Sequence, residues 1–310
     1  MNRSTAAPGA FTLTAFAAAV VLGGANFVAV RFSNRELEPF WGAGLRFALA
    51  AVLFVGIAAA LRLEWPRGRE LLLMTVYGLM SFTLFYALMY WALVRVTAGL
   101  AAVVLAAVPL VTQLLAAAQR LEPLSRRAVA GALLALAGIL WMTVTPAGLV
   151  LPLSGLLAML AAALTAGESV ILAKRVSGHH PAITNAVAMS VGAAALLLVS
   201  VGVGEPWVVP SEPAVIWSVL YLVVLGSVGL FVLLLLVVRR WTASATAYAF
   251  VLFPVVTMLL EAWLVDEPLT LRGVSGAVIV MVAVWFGALA PSPNRLEPSA
   301  PGVPETAPAG

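Results

Sequence analysis

A 37-residue stretch occurs twice in this chain without a gap, and that repetition constrains the fold more tightly than any other feature. Residues 95–131 read RVTAGLAAVVLAAVPLVTQLLAAAQRLEPLSRRAVAG, and residues 240–276 read RWTASATAYAFVLFPVVTMLLEAWLVDEPLTLRGVSG. At the offset of 145 (240 − 95), Arg95 pairs with Arg240, Thr97 with Thr242, Pro109 with Pro254 and Thr112 with Thr257. The same offset pairs Glu122 with Glu267, Pro123 with Pro268, Arg127 with Arg272 and Gly131 with Gly276. Polar punctuation held in register through an apolar background marks a duplicated structural unit.

The solvent for such a unit is lipid. The chain is 63% hydrophobic and 10% charged, and its mean hydropathy is +1.08, so it lacks the polar residues that a water-facing surface needs. A bilayer core takes about 20 apolar residues as a helix. Ten segments qualify, near 11–31, 40–62, 71–94, 97–118, 127–146, 153–173, 182–203, 214–238, 243–265 and 272–290. Arg3 followed by an apolar run imitates a signal peptide, but the run is longer than an h-region and further spans follow it, so it reads as a retained helix. Residues 291–310 hold six prolines and little apolar bulk, and read as a disordered tail.

Lys and Arg set the orientation. With the N-terminus inside, inner segments carry twelve of the 17 basic residues; the outer loops carry four (Arg31, Arg35, Arg95, Arg272), and Arg46 lies within a helix. Both termini are therefore expected on the cytoplasmic side of the membrane. Five helices per unit is an odd number, so the second copy enters the membrane upside down. The expected fold class is an all-α integral membrane protein whose ten transmembrane helices form two inverted five-helix repeats. Its parts are an N-terminal segment (1–10), a first repeat (11–147), a second, inverted repeat (148–290) and the tail (291–310). Inverted repeats put a shared site near the midplane of the bilayer and suit alternating access.

Pro, about twelve mostly apolar residues, then Glu-Pro occurs twice, as Pro109 to Glu122-Pro123 and Pro254 to Glu267-Pro268. With GANFVAVRF ending the first helix, Arg46-Phe47 in the second and ESVILAKR ending the sixth, this pattern resembles the EamA-type family of the drug/metabolite transporter superfamily. The resemblance covers about residues 11–290. It implies a ten-helix plasma-membrane carrier that moves amino acids, related metabolites or drugs, commonly outward. The chain departs from the family pattern at Gln119-Arg120-Leu121-Glu122, at Val265-Asp266-Glu267 and at Glu168, where an aromatic residue is usual.

An ionised group inside a membrane helix is costly and has a reason to be there. Glu168, Arg46 and Glu261 meet that test. Glu168 is a candidate for proton coupling or for holding a substrate ammonium, with a structural ion pair (to Arg46, for instance) as the alternative. Arg46 is a candidate carboxylate anchor or a helix brace. Asn26 aligns with Ser169, and the two either line a cavity or make interhelical hydrogen bonds. Tyr86 and Tyr90 share a helical face with Phe82 and form either a stacking wall or packing; Tyr248 is similar, and its hydroxyl needs a partner if buried. Pro109 and Pro254 read as hinges or kinks. Glu122, Arg127, Glu267 and Arg272 read as a structural motif that caps the next helix or forms pairs across five residues.

Other chemistries find little support. Cysteine is absent, His179 and His180 sit side by side with no acidic cluster, and there is no Gly-rich phosphate loop. No metal, cofactor or ATP site is expected, and no basic stripe with interleaved aromatics points to nucleic acid. The expected partners are a small-molecule substrate and the lipid bilayer, with the chain a monomer or homodimer. Secondary transport leads the functional readings: export of amino acids or related metabolites, or efflux of cationic or aromatic drugs. An intramembrane enzyme would need a nucleophile with a base, and a sensory or structural subunit would need an output domain.

Overall fold

A computed structural model describes residues 8–93, 104–143, 153–264 and 269–289. All regular structure among them is helical. The helices are α1 (Ala10–Ser33), α2 (Pro39–Ala60), α3 (Gly68–Gly78), α4 (Phe85–Leu93), α5 (Val108–Ala118), α6 (Arg126–Thr143) and α7 (Leu153–Val176). They continue as α8 (Pro181–Val203), α9 (Pro213–Val223), α10 (Leu230–Arg240), α11 (Ala243–Thr246), α12 (Ala249–Leu264) and α13 (Leu271–Val284). Eight helical stretches among the described residues are long and apolar enough to cross a membrane, and α5 is apolar but shorter. The protein is a multi-pass membrane protein.

The boundaries follow local chemistry. Pro39, Pro181 and Pro213 open their helices at positions where a missing N–H costs nothing. Gly204 closes α8 at φ +77°, a left-handed turn that glycine adopts without a Cβ penalty. The span expected at 243–265 is present as Ala243–Leu264, but a turn interrupts its helix: α11 ends at Thr246, and the chain turns at Ala247 and Tyr248 before α12. The span expected at 97–118 is likewise interrupted, by a turn at Ala106 and Ala107; residues 94–103 lie outside the described part, as do the tail at 291–310 and Glu267.

Two buried clusters hold the bundle together. One gathers α2, α3, α7 and α8 around Phe47, Phe54, Phe82 and Met189; the other gathers α6, α12 and α13 around Ile139, Tyr248 and Val280. The perimeter is apolar as well. Trp217 is 68% exposed and Trp263 77%, a surface that water would not tolerate and acyl chains cover.

Contacts between the halves are reciprocal. Helix α2 packs on α8, the second helix of each unit, and α6 packs on α13, the fifth of each. Helix α1 contacts α9, α10 and α12, while α7 contacts α3, α4 and α5. The first helix of either unit thus meets the third and fourth of the other. Individual residues obey the same exchange. A β-carbon on Gly24 would stand 2.5 Å from the Val256 side chain, and one on Gly167 would stand 2.8 Å from Val111, the repeat partner of Val256. Arg127 lies over the Phe286 ring (5.0 Å) and Arg272 over the Trp141 ring (5.5 Å), two contacts that the offset of 145 converts into one another. Acidic caps also cross over. Glu122 accepts hydrogen bonds from Ala243 N, Ser244 N and the Ser244 hydroxyl, at the start of α11 in the other unit. Its expected role as a cap on the next helix in sequence is therefore corrected: the free N–H groups it satisfies belong to α11. From the second unit, Glu205 accepts from Phe40 N and Trp41 N, at the start of α2. In the loop between α1 and α2, bonds from the Ser211 hydroxyl and amide hold the Glu36 carboxyl below its usual pKa.

Candidate functional site

The third membrane-crossing stretch of each unit loosens by one residue per turn at the same place. A π-helical segment spans Leu79–Leu84 between α3 and α4, and another spans Val224–Gly229 between α9 and α10; the two are separated by the repeat offset. A π turn displaces backbone carbonyls from the α-helical ladder, and such turns collect at functional sites. In the second unit, Ser227 Oγ donates to Leu222 O, five residues back. The carbonyl of Gly226, within the same π segment, receives side chains from other helices.

It receives two. Arg46, 3% exposed on α2, donates through Nη2 to Gly226 O (2.9 Å) and through Nε to Ser227 Oγ (2.8 Å). Asn26 on α1 donates through Nδ2 to the same Gly226 O (3.1 Å). Arg46 also lies over the Phe47 ring at 4.8 Å, and Phe47 is wholly buried against Phe82 and Tyr86. No carboxylate forms an ion pair with Arg46 among the described residues. The alternative pairing with Glu168 does not form. The guanidinium therefore carries its charge in low dielectric with only neutral partners, a costly arrangement without a compensating anion.

Arg46 borders a cavity of about 330 Å³ between the two units. Helices α1, α4, α7, α10 and α12 supply most of its wall, which is largely aromatic and aliphatic: Phe27, Phe85, Phe231, Phe250, Phe253 and Leu234 are among its residues. Asn26, Ser169 and Tyr86 line it too, so the residues aligned by the repeat, Asn26 and Ser169, do meet one space. Asn26 Oδ1 and Ser169 Oγ are buried with no hydrogen-bond partner. The Tyr90 side chain lies outside the described residues.

Other candidates go elsewhere. Glu168 does not border the cavity; it is half-buried and accepts from Gln119 Nε2 at 2.6 Å, while Gln119 Oε1 accepts from Arg175. One amide thus bridges an acid and a base on the same face of α7. Glu261 pairs with Arg31 at 3.3 Å, close to the end of α1, and does not border the cavity. Tyr248 is 1% exposed and donates to Ala128 O at 2.7 Å, pinning α12 to the start of α6. Its hydroxyl finds the partner that burial requires, in packing rather than in a binding wall.

The paired prolines are not equivalent. Pro109 occupies the first turn of α5, where no N–H bond is lost, because the chain has already broken at Ala106 and Ala107. The expected interruption of helical bonding at Pro109 is therefore corrected. Pro254 sits inside α12 and leaves the Phe250 carbonyl without its usual donor. Arg127 Nε donates to Phe286 O at 2.6 Å, where a third π turn (Trp285–Leu289) ends the last span. Glu267, the expected partner for Arg272, is outside the described residues. The GSVG at 226–229 is the feature that reasoning from sequence passed over. Two glycines and a serine within a long apolar run were the available signal, and they mark the segment that binds Arg46.

Known proteins bear on this arrangement. A probable amino-acid metabolite efflux pump of Salmonella typhimurium is 30% identical over 281 residues, covering 86% of this chain and 91% of its own. Its namesake in Escherichia coli is 30% identical over 278 residues with the same coverage. An uncharacterized transporter of Archaeoglobus fulgidus is 26% identical over 277 residues. A solved crystal structure superposes on 94% of this chain and 100% of its own with a TM-score of 0.77 at 19% identity, a likeness of fold. The family model described as the EamA-like transporter family matches residues 10–144 and matches again over 153–288. Two successive matches across nearly the whole described chain leave one assignment: this membrane protein belongs to the EamA-like transporter family.

Proposed function

We propose that this chain is a secondary active transporter that exports small carboxylate-bearing metabolites from the cytoplasm, with the cavity between its two units as the substrate site. The observation that carries this reading is Arg46. A buried guanidinium at a cavity wall, held by a carbonyl, a hydroxyl and a ring but by no acid among the described residues, is suited to receive a carboxylate bidentately. The reciprocal contacts support two five-helix units related by a pseudo-two-fold axis in the membrane plane. They support alternating access by rocking one unit against the other. The ten-span count, the plasma membrane and the cytoplasmic placement of both termini belong to the same proposal. Substrate names borne by the relatives agree with export of amino-acid metabolites. Efflux of cationic drugs is disfavoured, because a cation entering this cavity would meet Arg46 with no described carboxylate beside it.

The test is flux. Purified protein in liposomes is given a panel of radiolabelled amino acids and their deaminated derivatives, with and without an imposed pH gradient. Saturable accumulation of at least one carboxylate is expected; a panel in which only organic cations move would sink the proposal. Glu168→Gln is expected to keep both the rate and the pH dependence of that flux, since Glu168 turns to Gln119 rather than to the cavity. Loss of the pH dependence in this variant would return Glu168 to a coupling role.

A further inference from the structure

On the transport reading above, we infer that the cavity selects apolar monocarboxylates, anions with one carboxylate and no ammonium, over zwitterions and amines of the same skeleton. The inference rests on a census of charge around one space. The described cavity lining contains one cation, Arg46, and no Asp or Glu. The two acids that lie deepest in the described helices are both committed elsewhere, Glu168 to Gln119 and Glu261 to Arg31. An α-ammonium bound a few ångströms from the substrate carboxylate would therefore sit in low dielectric near a guanidinium, with no opposite charge to offset its desolvation.

Neutral oxygens on the wall, from Asn34, Ser81, Tyr86 and Thr246 among others, offer an ammonium dipoles but no opposite charge. Asn26 and Ser169 border the cavity, but Asn26 Oδ1 and Ser169 Oγ are themselves shut away from open space. Asn26 Oδ1 turns against Gly226, where a β-carbon would collide with it. The Gly226 carbonyl is already taken by Arg46 and Asn26. An anion fares differently. Nη2 and Nε of Arg46 are fixed by Gly226 and Ser227, which leaves Nη1 with no partner among the described residues and the whole group pre-aimed. Beyond that one charge the wall is mostly ring and aliphatic surface, from Phe27, Phe231 and Phe250 among others, suited to a hydrocarbon body. The volume of about 330 Å³ lies at the small end of ligand pockets, as a metabolite of this size requires.

Three probes share one skeleton and differ only in charge: 3-phenylpropanoate, L-phenylalanine and 2-phenylethylamine. Equilibrium binding to the full chain in lipid nanodiscs should place 3-phenylpropanoate about tenfold or more tighter than phenylalanine. The amine should show no saturable binding. Val170→Glu puts a carboxylate on the cavity wall from α7, away from Arg46's own hydrogen bonds, and should narrow or reverse the preference between anion and zwitterion. Should that variant fail to fold, the wild-type ranking decides. Phenylalanine binding as tightly as the deaminated acid, with saturable flux of both, overturns the selectivity while leaving the transport proposal standing. Absence of binding and flux for all three probes and for the wider metabolite panel overturns both, as does tightest binding of the amine.

Discussion

Arg46→Gln should abolish most carboxylate flux while the protein still folds and inserts. A charge-assisted hydrogen bond is worth about 1.5–3 kcal/mol, which is about 10–150-fold in affinity, and Arg46 is the only charged group on the described cavity wall. Glutamine is long enough to keep one bond to the π-helical segment but brings no charge. Arg46→Lys separates charge from bracing. A lysine retains a point charge but cannot hold Gly226 O and Ser227 Oγ together as the guanidinium fork does. Partial flux is therefore expected for lysine and near-background flux for glutamine. Unfolding midpoints measured on the same preparations supply the second readout. If both variants lose flux only in proportion to lost stability, Arg46 is a brace and the carboxylate site lies elsewhere.

The largest stability effect is expected at Gly78, where α3 crosses α8. A β-carbon there would press on the backbone of Ala188, with the Ala188 Cα 2.8 Å away and its carbonyl oxygen closer still. Backbone cannot rotate aside as a side chain does, so Gly78→Ala must push two helices apart at a close crossing. Overpacking of that kind costs about 1–3 kcal/mol. Gly78→Leu should fail to accumulate as folded protein. The strain would also reach the cavity, because Gly78 directly precedes the first π-helical segment and Phe82 within that segment packs on Gly192 of α8. Gly56 is the internal control. It lies on the same bundle with nothing within 4 Å of an added methyl, and Gly56→Ala should be neutral or stabilising by up to about 1 kcal/mol. Denaturant titration of the three proteins in one detergent checks this; equal midpoints for Gly78→Ala and Gly56→Ala would show that the crossing is not close in the folded protein.

Much of the architecture was legible because lipid imposes simple rules. Long apolar runs have to be helices, since a backbone in hydrocarbon must satisfy its own polar groups. The register of Pro, Thr, Glu and Arg at one offset revealed the duplication, and the reciprocal pairs Arg127–Phe286 and Arg272–Trp141 show the two copies embracing as such a duplication allows. Arg46 was found by the rule that an ionised group in an apolar helix has a reason to be there, Asn26 and Ser169 by their alignment in the repeat, and all three border the cavity. The same rule named Glu168 and Glu261, and the aromatic reading named Tyr248, yet none of the three borders the cavity. It identifies expensive residues but does not say which way they face. Gln119, Ala128 and Arg31, the groups that occupy them, lie 49, 120 and 230 positions away in sequence.

What the sequence determined by itself is thus the membrane class, the doubling of the unit and the short list of costly side chains, because each follows from local composition and from one periodic offset. Tertiary structure alone decided that Arg46 faces neutral partners, that Glu122 caps a helix in the opposite unit, and that Pro109 opens its helix while Pro254 lies inside one. Those outcomes depend on a π turn and on helix crossings between residues far apart in the chain. Only packing of the two units against each other fixes which carbonyl is freed and which charge is left to meet it.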